Sequence, residues 1–248
     1  MGSTGSGKPK ELGIKNVTMP DGTEIELEDE LEYGTDTGKG RLPQTVTDFE
    51  NKRKKAKIEY DILTRADGTV IESNKGGKRS VRSTVFANAL ANITSHNHPR
   101  SGDEAGILGG TFSPQDISNF MRFPNQTTLR AVAGEGTYSI TKTPGLKQDT
   151  RLSAKFATDF RDFERDSGKD YDTAERAAYS VYRSIQNSNN SDVRLGKMDW
   201  SEASKRNHAA YEDYMKEVCK AQNRQLIRMH KWLIDNQKKY GYTYGLER

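Results

Sequence analysis

Alternating apolar and polar positions predict several short strands in the first half of the chain. Residues 58–63 alternate, a turn signal follows at Asp67-Gly68, and residues 69–72 return, so these segments predict a β-hairpin. Residues 129–133 and 137–141 predict a second pair of strands across a glycine-rich turn. The first half of the chain is therefore expected to contribute most of a sheet.

The apolar positions change to helical spacing from Thr150 onward. Apolar stripes over 152–163 and 174–185 predict helices, and residues 201–239 predict one long helix. The polar run Asn187–Ser191 predicts a loop between them. We therefore expect a helical region over 146–248, after a folded core over 51–145.

The first fifty residues are poor in apolar positions, which predicts an extended and partly disordered arm over 1–50. Its one strand-like piece is 23–28, where apolar and acidic residues alternate after Pro20-Asp21-Gly22. This pattern predicts a short hairpin with residues 17–19.

Composition narrows the classes of protein. Hydrophobic residues make up 32% and charged residues 30% of 248 positions, so the chain can bury one modest core. No apolar run reaches membrane-spanning length, the first 30 residues lack the apolar stretch of a signal peptide, and Cys219 is the single cysteine. We expect a cytoplasmic protein without membrane contact, disulfides or a multi-cysteine metal site.

Two histidines and an aspartate have the spacing of a metal site. His96 and His98 are one residue apart, so at the end of a strand their rings point the same way. Pro99 ends that strand, and Ser113-Pro114 starts a helix that carries Asp116 in its first turn. Two imidazoles, one carboxylate and an open fourth position form the pattern of a catalytic zinc site. Each half alone is also compatible with surface histidines and an ordinary helix cap.

His96-x-His98-Pro99 followed by Ser113-x-x-Asp116 resembles the JAMM motif of the JAB/MPN metalloprotease family. The residues of this motif are most similar to those of the bacterial and phage branches of the family, which include RadC-like and phage head-associated proteins. The resemblance covers residues 57–143. It implies an α+β, JAB/MPN-like (cytidine-deaminase-like) mixed sheet flanked by helices, in the cytoplasm of a bacterial host or associated with a virion.

The resemblance also implies roles for individual residues. His96, His98 and Asp116 correspond to the ligands of Zn²⁺, and Ser113 corresponds to the residue that helps to hold the attacking water or the oxyanion. The loop between Pro99 and Ser113 is longer than the family pattern. We expect its surplus, within residues 102–110, to be flexible. Two interpretations of the surplus are open: a lid or substrate-gripping segment, and the mark of a member that has drifted away from peptidase work.

The family places a glutamate on an earlier strand as general base. Glu59 is the best match, because it lies on the strand face opposite its apolar neighbours and can point into a cleft. Asp61 and Glu72 compete for this role.

Two functions from different classes follow from these residues. The first is a zinc-dependent hydrolase that cleaves a peptide or isopeptide bond in a protein or peptide substrate. The second is a non-catalytic structural or binding module, in which the C-terminal helices bind a protein partner. The net charge of +4 is too weak to indicate nucleic acid as a partner.

Overall fold

The computed structural model describes residues 13–18, 22, 24–34, 42–99 and 106–248. The strands in these residues are β1 (Ile14–Thr18), β2 (Glu24–Leu31), β3 (Tyr60–Thr64), β4 (Val70–Lys75), β5 (Ile93–Asn97), β6 (Thr128–Val132), β7 (Thr137–Lys142) and β8 (Tyr242–Glu247). The helices are α1 (Gln44–Arg53), α2 (Val85–Leu90), α3 (Pro114–Arg122), α4 (Pro144–Gln148), α5 (Thr150–Arg194), α6 (Trp200–Asp235) and α7 (Gln237–Tyr240).

Six strands form one mixed sheet in the order β4-β3-β5-β6-β7-β8. The central pair β5–β6 is parallel, and the other neighbours are antiparallel. β1 and β2 form a separate antiparallel hairpin that lies against α6. The α+β class with a mixed sheet and flanking helices is confirmed, as are the hairpins predicted around positions 17–28, 58–72 and 129–141.

Alternation along β5 gives the sheet two different faces. Ser95 points to the face covered by α1, where its hydroxyl donates to Glu50 at 2.9 Å. On the same face, the buried Arg130 guanidinium donates to the carboxylates of Glu50 and Glu247 over 2.6–3.0 Å. This cluster joins α1 and β8 to the centre of the sheet. His96, the next residue of β5, therefore points to the opposite face.

The main apolar core lies on that opposite face, where α5 and α6 pack against the sheet. Phe156 of α5 stacks on Trp232 of α6 with ring centroids 5.9 Å apart, and on Tyr242 of β8 at 4.8 Å. Phe160, Phe163 and Tyr240 extend the aromatic cluster. Burial of these large rings holds the two long helices in place, because each removes a large apolar area from water.

The N-terminal segment differs from the expected arm. α1 begins at Gln44, and its Val46, Phe49 and Glu50 are buried. The sequence shows few apolar residues here, and a salt bridge joins Glu50 of the helix to Arg130, which lies far along the chain. Residues 1–12 and 35–41 of the predicted arm lie outside the described residues.

The C-terminal segment differs in two places. The predicted loop at Asn187–Ser191 is wrong, because α5 continues through it to Arg194. Packing on α6 explains the difference: the buried Asn189 donates to Asn207 at 2.8 Å, so a polar residue finds a partner across the helix pair. The chain also ends in a strand, β8, after Gly241 ends α7 at a positive φ of 74°.

Among the described helices, none combines enough length with enough apolar character to cross a bilayer.

Candidate metal centre

Three side chains from two elements converge on one point. His96 is at the end of β5, His98 follows that strand, and Asp116 is in the first turn of α3. The Nε2 atoms of the two histidines are 3.0 Å apart, and His96 Nε2 is 3.6 Å from Asp116 Oδ2. One ligand atom from each residue lies within 4.8 Å of the other two.

These distances suit a tetrahedral zinc ion. Bonds of about 2.0–2.2 Å to a tetrahedral centre place neighbouring ligand atoms about 3.3–3.6 Å apart. The 3.6 Å separation falls at the upper end of that range, and the 3.0 Å separation is slightly shorter than its lower end. Two histidines and one carboxylate leave the fourth position free for water or substrate, so the donor set and spacing fit a catalytic zinc site.

Backbone carbonyl groups fix the orientation of His98. Its Nδ1 lies 3.1 Å from the carbonyl oxygens of both Gly109 and Gly110. Because a carbonyl can only accept, Nδ1 carries the proton, and Nε2 presents its lone pair towards His96 and Asp116. Metal-binding histidines commonly have such an outer partner, which selects the tautomer that binds metal.

The start of α3 fixes Asp116. The Ser113 backbone N–H and hydroxyl both donate to Asp116 Oδ2, at 2.9 and 2.7 Å, and the Ser113 hydroxyl accepts from the Asp116 N–H at 3.2 Å. This is a reciprocal capping box, and it leaves the carboxylate with little freedom. In this arrangement the Ser113 hydroxyl donates its proton to a candidate metal ligand, so Ser113 positions Asp116.

Charge on neighbouring side chains decides the protonation of the cluster. Burial alone lowers the pKa of His96, but Asp116, Glu59 and Asp61 outweigh burial and raise this pKa above its ordinary value. Burial and the neighbouring His96 lower the pKa of His98. The carboxylates therefore create a site that attracts a cation to the two imidazoles.

Glu59 lies in the same cleft as the three candidate ligands. This cleft, which we call the metal cleft, has a volume of about 580 Å³ and is lined by Glu59, His96, His98, Ser113 and Asp116, among others. Burial raises the pKa of Glu59 to about 7, although His96 and the backbone N–H of Val81 oppose the shift. A carboxyl group with a pKa near neutrality is well suited to accept and return a proton.

Asn97 holds the backbone on both sides of Glu59. Its side-chain amide donates to the carbonyl of Ile58 at 3.1 Å and accepts from the N–H of Tyr60 at 2.8 Å. Asn97, which lies between the two histidines, therefore extends the contact between β5 and the β3 strand by one residue beyond the Asp61–His96 pair. The sequence did not indicate this role, because an Asn within a histidine motif carries no information about its partner strand.

The two competitors for the role of general base are held by other contacts. Asp61 is buried opposite His96 in the β3–β5 register, and its carboxylate accepts from Asn74 and Ser83. Glu72 accepts from Asn74 and Thr84 and does not line the metal cleft. Asp61 lines the metal cleft together with Glu59, but its carboxylate is already engaged by Asn74 and Ser83, so the contacts favour Glu59 among the three.

The described part of the long loop, residues 106–112, is fixed, so the expectation of a flexible segment is wrong there. Asn223 of α6 accepts from the Leu108 N–H at 2.8 Å and donates to the Gly106 carbonyl at 2.9 Å. The buried Glu135 accepts from the N–H groups of Gly109 and Gly110 at 3.0 and 2.8 Å. These contacts hold the two carbonyl groups that orient His98. Residues 100–105 lie outside the described residues.

Comparison with models of known families, with curated proteins and with solved structures gave no match.

Proposed function

We propose that this chain is a zinc-dependent hydrolase that cleaves peptide or isopeptide bonds, with a JAMM-like centre. The observation that carries the proposal is the convergence of His96, His98 and Asp116 at zinc-like spacing beside Glu59. The Nε2 atoms of the two histidines lie 3.0 Å apart, close enough to share one cation with the Asp116 carboxylate.

Zinc at this site supplies Lewis-acid activation of a water molecule and of the substrate carbonyl group. His96, His98 and Asp116 would hold it, each through one ligand atom. The two glycine carbonyls that accept from His98 keep its Nε2 directed at this point. Ser113 keeps Asp116 in the orientation that the site requires.

Glu59 acts as the general base in this proposal. Its half-buried carboxylate accepts the proton of the attacking water and then delivers it to the leaving amine. The Asn97 amide fixes the strand backbone around Glu59, so the carboxylate is held at the cleft wall before substrate binds. Preorganisation of this kind lowers the cost of reaching the transition state.

Elemental analysis of the purified chain and hydrolysis of a fluorogenic peptide library test the proposal. We expect stoichiometric zinc that EDTA removes, together with EDTA-sensitive hydrolysis. His98→Ala should lose both zinc and hydrolysis, whereas Glu59→Gln should keep zinc and lose hydrolysis. His208→Ala is the matched control, because His208 is exposed on α6 and pairs with Glu212.

Two results would contradict this assignment. If the wild-type chain takes up no zinc after incubation with zinc salts, the assignment of a metal centre is wrong. If Glu59→Gln hydrolyses substrate at the native rate, the metal centre stands but Glu59 is not the base.

A second candidate function rests on the outer part of the α5–α6 pair. Val181, Leu195 and Trp200 are 61%, 64% and 70% exposed. Exposed apolar side chains mark a protein-binding surface where they lie together, and Leu195 and Trp200 flank the connection between α5 and α6. We infer from them a binding module whose long helices contact a protein partner. The zinc measurement separates the two functions, since the module requires no metal.

A further inference from the structure

A second cleft, which we call the basic groove, lies between α3 and the first part of α5. Its volume is about 500 Å³, within the range of about 300–1,000 Å³ that is common for ligand sites. The side chains of Arg122, Lys142, Lys147 and Arg161 line it, and no described lining residue is acidic. The groove therefore concentrates positive charge in a concave surface, which attracts anions.

Most of this charge has no internal partner. Within the part of the chain that the structure describes, Arg122, Lys147 and Arg161 have no carboxylate at salt-bridge distance. Some cations elsewhere on α5 are paired, as Lys155 is with Asp159 at 2.8 Å, and others, such as Arg176, are exposed without a salt bridge among the described residues. What distinguishes the groove is that its cations line one concave surface without an acidic residue, in a chain whose net charge is only +4.

Lys142 shows the same excess of positive charge at the base of the groove. It is buried, and its ammonium group donates to the carbonyl groups of Phe120 and Phe123 at the end of α3. Burial, with a contribution from Lys147, lowers the pKa of Lys142 to about 7. An anion bound in the groove would offset both the burial of the Lys142 ammonium group and the repulsion from Lys147, and it would raise this pKa again.

The groove adjoins the metal cleft. Pro114 and Gln115 of α3 line the groove, and Gln115 also lines the metal cleft beside Asp116. One turn of helix therefore separates the candidate metal site from the basic groove. A chain bound across the metal cleft can continue over this turn.

We propose that the basic groove binds an acidic segment of the polypeptide substrate, containing several Asp or Glu side chains beside the bond to be cleaved. This inference rests on the proposed hydrolase function for the identity of the ligand. The groove offers hydroxyl groups of Ser118, Thr150 and Thr158 as further donors to carboxylates. Its described lining contains no aromatic ring for stacking of bases, which favours a peptide over single-stranded nucleic acid.

Fluorescence polarisation with labelled oligoglutamate tests the groove directly, with EDTA present so that the result does not depend on zinc or on hydrolysis. The test variant is Arg122→Gln with Arg161→Gln. The control is Arg176→Gln with Arg183→Gln, which removes the same charge from exposed positions of α5 outside the groove. The conservative pair Arg122→Lys with Arg161→Lys keeps both charges, so it shows whether weaker binding results from the loss of charge or from disruption of the fold.

We expect wild-type chain to bind oligoglutamate in a salt-dependent manner. The test pair should weaken binding about tenfold, as expected for two partly exposed charge contacts, while the control pair and the lysine pair should retain it.

Three outcomes would overturn the inference: no binding by wild-type chain, equal weakening by test and control pairs, or tighter binding of oligodeoxythymidine than of oligoglutamate. Zinc content and hydrolysis are measured separately from oligoglutamate binding. A negative binding result therefore does not contradict the hydrolase proposal, and a negative hydrolysis result does not contradict anion binding by the groove.

Discussion

Glu135 lies outside the candidate metal centre but should control its affinity for zinc. Its Oε1 accepts from the Gly110 N–H and from the Tyr138 hydroxyl, each at 2.8 Å, and its Oε2 accepts from the Gly109 N–H at 3.0 Å. The peptide group between Gly109 and Gly110 therefore donates to Glu135 and accepts from His98. Hydrogen bonds in such a chain strengthen one another.

The Glu135→Gln substitution allows the size of this effect to be worked out. Glutamine keeps one acceptor oxygen, so its amide NH₂ must face at least one of the three donors. A buried donor left without a partner costs about 1–3 kcal/mol, which we expect as the loss in free energy of unfolding. The looser Gly109–Gly110 peptide should also release His98, and loss of an outer-shell partner typically reduces metal affinity about 10–100-fold.

Zinc affinity is measured by competition with a chromophoric chelator, and stability by urea unfolding of the metal-free chain. Glu217→Gln is the control, because Glu217 is exposed on α6 and pairs only with Lys220 among the contacts that the structure describes. If Glu135→Gln loses stability but binds zinc as tightly as wild type, the loop does not position His98 and the reasoning is refuted.

Three further predictions concern stability and the capping of α3. Arg130→Met should lower the free energy of unfolding by about 3–5 kcal/mol in urea titration, because it leaves two buried carboxylates without their cation, whereas the exposed Arg176→Met should have little effect. Burial lowers the pKa of His230 from 6.5 to about 4, so the unfolded chain binds this proton more tightly and the folded chain is fully stable only above pH 6.5. Stability should therefore fall by about 3 kcal/mol as pH decreases from about 6.5 to 4, and an unchanged pH dependence in His230→Gln would exclude this residue as the cause. Ser113→Ala removes a helix cap and should cost about 1 kcal/mol in urea unfolding. The same variant should also weaken zinc binding, since Asp116 loses the hydroxyl donor and keeps only the backbone N–H of residue 113, and undiminished affinity would show that the cap does not position the ligand.

The sequence predicted those parts of the site that depend on neighbours along the chain. The spacing of His96 and His98 fixes the direction of their rings on any extended strand, and Ser113-Pro114 specifies a helix start that carries Asp116. The hairpins and strand pairs followed from alternation for the same reason. Each of these features involves residues within a few positions of one another, where backbone geometry alone decides orientation.

The sequence favoured Glu59 but left Asp61 and Glu72 as competitors, since all three lie on one predicted hairpin. The tertiary structure distinguishes their contacts: Asn74, Ser83 and Thr84 engage the carboxylates of Asp61 and Glu72, while Glu59 and Asp61 both line the metal cleft.

The tertiary structure also decided features that depend on distant partners. Glu135 reaches the loop beside His98 across 25 positions, Glu50 reaches Arg130 across 80, and Asn223 reaches Leu108 across 115. α5 runs through a polar segment because α6 lies beside it. Periodicity records which face of an element is buried, but it carries no information about which distant side chain will meet that face, and packing of the whole chain settles that choice.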